Sequence, residues 1–135
     1  MSEIQDQDAK AALELIIAAR REHRVYTYQS LALALERDPE TDARAVAQVC
    51  DKLDAACAYA GVPQLPLAVV RTADGRVNPK SLGYCCARRR ERVVDAAVYH
   101  RFSEAEFTSL RRALAELEGL GNTKAWARVR ELYPD

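Results

Sequence analysis

Apolar residues recur at helical spacing along most of this chain, interrupted by two short runs where β-branched and aromatic residues stand together. Ala9, Ala12, Leu13, Ile16 and Ile17 form one stripe and predict a helix over 7–23. Val25 to Thr27 predicts a brief strand. Thr27 is placed to cap a second helix over about 28–37, with Leu31 and Leu35 inward, and Asp38-Pro39 breaks it. Thr41 or Asp42 opens a third helix, whose buried face is marked by Val46, Val49, Cys50, Leu53, Cys57 and Ala60. Gly61 ends that helix and Pro63 prevents its continuation.

Leu67 to Arg71 is a short apolar run of strand character. Ala73-Asp74-Gly75 is a turn, across which Arg76-Val77 pairs back as a hairpin, and Asn78-Pro79 closes the unit. Residues 84–100 admit either a helix or further strand. Ser103 with Glu106 has the form of a capping box, followed at helical spacing by Phe107, Leu110, Leu114 and Leu117. Gly119 and Gly121 end this helix, and Asn122 or Thr123 opens a last one carrying Trp126 as core anchor, Val129 and Tyr133. The pattern predicts a mostly α (α+β) fold with one domain over 1–135. Its core, 25–83, is winged helix-turn-helix-like with a small β-hairpin, and extra helices lie N-terminal to it and at 101–133.

Composition narrows the class. The balance of 49% hydrophobic and 30% charged residues is that of a globular domain, so neither a metal nor a disulfide is needed to fold it. No apolar run approaches the roughly 18 residues of a membrane span. Met1 to Lys10 is acidic and polar, unlike a secretory signal. Cys50, Cys57, Cys85 and Cys86 match no zinc spacing and no compact disulfide framework. A cytoplasmic protein with reduced thiols and no cofactor is the expectation.

The net charge is zero but unevenly spread. Residues 1–60 carry 7 basic and 11 acidic side chains. Residues 71–92 hold Arg71, Arg76, Lys80, Arg88, Arg89, Arg90 and Arg92 against only Asp74 and Glu91. That segment is suited to neutralising phosphates, or to pairing with the acidic N-terminal half.

Three stretches are more specific. They are Val25-Tyr26-Thr27-Tyr28-Gln29-Ser30-Leu31-Ala32, then Ala43-Arg44-Ala45-Val46, then Pro66-Leu67-Ala68-Val69-Val70 with Asp74-Gly75. Residues 25–83 thereby resemble the C-terminal DNA-binding domain of the O6-alkylguanine-DNA alkyltransferases and their alkyltransferase-like relatives. The resemblance implies that Tyr28 helps rotate a target nucleotide and that Arg44 fills the base stack in its place. It also implies a reactive Cys-His-Arg motif where this chain has Leu67, Ala68 and Val69. Those side chains supply neither a thiol nor an activating base, so alkyl transfer is excluded and the expectation is a non-enzyme with no catalytic residue.

The expected function is therefore DNA binding without catalysis, in regulation, repair or defence. Tyr28, Ser30, Arg44, Gln48, Arg71, Arg76 and Lys80 are the candidate contacts to double-stranded DNA. The alternative is a protein-interaction or regulatory module on the same scaffold, favoured by the neutral charge and by Asp42, Asp51 and Asp54 in the third helix. A second alternative is a thiol enzyme using Cys85 or Cys86, with His100 as its activating base. Neither His23 nor His100 has a metal-ligand partner at suitable spacing.

Overall fold

The computed structural model describes residues 2–22, 24, 26–62, 69–70 and 101–133. Within them the fold is mostly helical, in the order α1 (Ser2–Arg21), β1 (Tyr26–Thr27), α2 (Tyr28–Ala34), α3 (Ala43–Ala60), β2 (Val69–Val70), α4 (Glu104–Glu116) and α5 (Asn122–Leu132). No helix among the described residues is long and apolar enough to cross a membrane. The hairpin expected around Asp74-Gly75 and residues 84–100 lie outside the described residues.

Helix ends follow local chemistry. Thr27 caps α2: its Oγ1 accepts from the Ser30 amide at 3.0 Å, and the Ser30 Oγ accepts from the Thr27 amide at 2.9 Å. α2 stops earlier than its apolar spacing predicts. Glu36 takes φ 59°, while the amides of Glu36 and Arg37 donate to the carbonyls of Leu33 and Ala32. This closure is usually built on glycine. α3 ends in the same way on Gly61 at φ 74°, where Gly61 and Val62 donate to Ala58 and Cys57. Asp42 precedes α3 but does not cap it with its side chain, because its carboxylate accepts from the Asp38 amide at 2.9 Å. α4 has the predicted capping box of Ser103 and Glu106. Phe102 adds a staple, stacking on Phe107 with ring centroids 5.6 Å apart.

α3 is the central helix. Val46, Val49, Cys50, Leu53 and Cys57 are buried as predicted, Ala55 and Ala56 are buried with them, and Ala60 is half-buried. Around α3 pack Ile16 and Ile17 of α1, Leu31 of α2, Phe107, Leu110 and Leu114 of α4, and Ala125 and Val129 of α5. Each large side chain buried here contributes roughly 1.5–3 kcal/mol. α4 runs antiparallel to α1, with Lys10–Glu118, Glu14–Arg111 and Arg21–Glu104 ion pairs along the seam. Arg37 pairs with Asp8 at 2.6 Å and ties the α2–α3 connection to α1.

β1 and β2 pair in parallel, Tyr26 opposite Val69 and Thr27 opposite Val70. A parallel pair needs a long crossover, and α2 with α3 provides it.

Three charged side chains sit inside among the described residues: Asp6, Lys52 and Asp54. Lys52 is buried, with Nζ 3.5 Å from the Asp6 carboxylate and donating to the Leu120 carbonyl. The other Asp6 oxygen accepts from the Gly119 amide at 2.8 Å. One ion pair thus joins α1, α3 and the α4–α5 turn. Removing one partner strands the other's charge, so Lys52→Ala is expected to lower the unfolding free energy by about 3 kcal/mol or more, measured by urea denaturation.

Candidate nucleic-acid interface

The first turn of α3 is its open end. Ala43, Arg44, Ala47 and Gln48 are exposed, whereas Val46 and nearly all of Val49–Cys57 face neighbouring helices. Arg44 and Gln48 are one turn apart and share a face. Arg44 takes part in none of the ion pairs among the described residues. A guanidinium and an amide at this spacing offer forked donors to planar acceptors.

The acidic residues of α3 are placed differently from what their number in the sequence implies. Asp54 is buried at 2% exposure, and Asp51 is half-buried, with Oδ1 accepting from the Trp126 indole N–H at 2.9 Å. Asp42, at the mouth of the helix, is likewise half-buried and is engaged by the Asp38 amide. The exposed turn is therefore not the acidic surface that counting charges along α3 suggests.

α5 lies alongside α3 in the same direction. Asn122 donates to the Gln48 carbonyl at 3.0 Å, Trp126 to Asp51, and the Tyr133 hydroxyl to the Tyr59 carbonyl at 3.3 Å. The close approach at the far end uses Gly61, where a Cβ would meet the Tyr133 hydroxyl at 3.3 Å. Trp126, expected as a core anchor, packs against the core but is only partly buried, and its polar edge serves Asp51.

Of the predicted contacts, Tyr28 is half-buried against the core at the start of α2. Ser30 is exposed, but its hydroxyl is engaged by the Thr27 cap. Arg44 and Gln48 are brought together on the open end of α3. Arg71, Arg76 and Lys80 lie outside the described residues, as do Cys85, Cys86, His23 and His100. Cys50 and Cys57 are buried in the core and neither is in a disulfide. Burial, and then the charges of Asp54 and Asp51, push the Cys50 thiol well above its ordinary range. Among the described residues no group of three His, Cys, Asp or Glu side chains is placed to hold a metal ion. The contact of Asn122 with α3 carries no signal in the sequence. An Asn following Gly121 reads as a helix opening, and nothing in the sequence distinguishes that from a bond to another helix.

Burial raises the Asp51 carboxyl above the ordinary aspartate range, against the opposing pull of its bonds from Trp126 and Asn122. The folded protein therefore holds this proton more tightly than the unfolded chain. Asp51's favourable contribution is full below the ordinary aspartate value and is lost as pH rises through the raised one. Asp51→Asn keeps an acceptor for Trp126 without the charge. Its melting temperature relative to wild type should be higher at neutral pH than at about pH 4, measured by thermal denaturation at both. No protein-family model matches this chain, and neither a curated protein nor a solved structure matches it.

Proposed function

We propose that this chain is a non-enzymatic DNA-binding protein with a winged helix-turn-helix-like core, in which the first turn of α3 reads a groove. The observation that carries this reading is the pairing of exposed Arg44 and Gln48 on a turn from which Asp51 and Asp54 are directed inward. From Ala43 to Gln48 the helix rises about 7–8 Å, comparable with the roughly 8.5 Å depth of the major groove. Arg suits the O6 and N7 acceptors of guanine, and Gln the N7 and N6 of adenine. Recognition helices use their N-terminal residues in this way. The connection of α2 to α3 between two short strands is consistent with the same architecture. The basic residues from Arg71 to Arg92 supply charge for the phosphate backbone.

A protein-interaction module is the second reading. Leu33 of α2 is 60% exposed, and Leu132 and Tyr133 at the end of α5 are about half exposed. Isolated apolar side chains of this kind are common on surfaces and carry less weight than the α3 tip.

Fluorescence anisotropy with a labelled duplex at two salt concentrations tests the first reading. Wild-type affinity should fall steeply as salt rises. Arg44→Ala should weaken binding by about tenfold or more. Absence of binding at low salt removes the DNA reading and leaves the protein-interaction module.

A further inference from the structure

Arg44 and Gln48 belong to a face of α3 that continues, at steps of three and four residues, through Asp51, Ala55 and Tyr59. α5 covers that same face. Its contacts fall on Gln48, Asp51 and Tyr59 in order, and it begins one turn beyond Arg44. A helix with its side chains is about 10–12 Å across and the major groove about 12 Å wide. One helix fills the groove, and a second packed 8–10 Å away cannot enter with it. While α5 is docked, only the tip of α3 is available to DNA.

α5 is held more lightly than α4. α4 buries Phe107, Leu110, Ala113 and Leu114 and pairs two of its charges with α1. α5 buries only Ala125 and Val129, with half-buried Trp126 beside them. Among the described residues, hydrogen bonds from Asn122 to Gln48 and Asp51, from Trp126 to Asp51 and from Tyr133 to Tyr59 join this end of the chain to α3. The turn before α5 is divided in its constraints. Gly119 and Leu120 are fixed by Asp6 and Lys52. Gly121 caps α5 with no side-chain bond and has nothing within 4 Å of the position of a Cβ.

We infer that α5 is a detachable, autoinhibitory cover on the Arg44 face of α3, pivoting at Gly121. Its release lengthens the part of α3 that DNA can reach. The consequence for affinity rests on the DNA reading above, but the detachment itself does not.

The experiment is amide hydrogen exchange on the full chain, paired with duplex anisotropy. In the wild type, α5 amides should exchange through an opening that leaves α3 and α4 protected. Trp126→Phe keeps an aromatic ring but removes the donor to Asp51, and should speed α5 exchange by about tenfold or more. Gly121 lies at φ −67°, so Gly121→Ala fits without strain. It should slow α5 exchange by roughly two- to fivefold through the lost freedom of the open state. If the open state is the better DNA binder, affinity follows the open fraction. Trp126→Phe should then bind more tightly and Gly121→Ala more weakly, each by no more than the factor seen in exchange, since the tip of α3 stays available in the closed state. Exchange of α5 in step with α3 and α4 overturns the detachable cover. Faster exchange in Trp126→Phe without tighter binding, in a protein that does bind duplex, overturns the autoinhibitory role. If no variant binds duplex at low salt, the DNA reading and the autoinhibitory role fail together, and the exchange arm still decides detachment.

Discussion

A buried ammonium is the constraint around which this molecule is arranged. Lys52 lies in the middle of α3, where its neighbours Leu53, Ala55, Ala56 and Cys57 are enclosed. A charge in that position has to be met by an opposite charge and by hydrogen bonds. Asp6 and the Leu120 carbonyl meet it from two segments more than a hundred residues apart in the chain. Their convergence fixes where α1 begins relative to α3 and where the chain turns between α4 and α5. Such an arrangement contributes specificity more clearly than stability, because an apolar core of the same shape carries no desolvation cost.

The same centrality explains how acidic residues and an exposed Arg44 coexist on α3. A helix enclosed for most of its length has few positions left to present, and these collect at its N-terminal turn. Asp51 accepts from Trp126 and Asp54 is buried, while the exposed turn keeps Arg44. Net charge summed along a helix is thus a poor guide to the field at its surface when half of the side chains face inward.

The helices were legible because periodicity and capping agree. Thr27, Ser103 and Gly61 each mark a boundary that the structure keeps. Phe107, Leu110, Leu114 and Leu117 are all buried as their spacing predicts. The end of α2 was not legible, since Glu36 in a left-handed conformation has no residue signature. Nor was the burial of Lys52, because its partners lie at distant positions and no local pattern joins them. Arg44 was legible as a candidate from its place at a helix start. That α5 occupies the rest of its face was not, since Asn122 and Trp126 read equally well as a helix opening and a core residue. The pairing of Tyr26 with Val69 also escaped, because two-residue strands carry almost no periodic pattern of their own.

That pairing bears on the order in which the molecule assembles. The two strands are 43 positions apart in the chain and contribute only two residues each. So short a ladder cannot hold closed the large loop between its ends, whose closure entropy grows with its length. The α2–α3 unit has to be in place first, and the strands join afterwards. In kinetic terms the ladder belongs to the late side of the folding barrier. Its interactions govern how fast the native chain comes apart far more than how fast it forms.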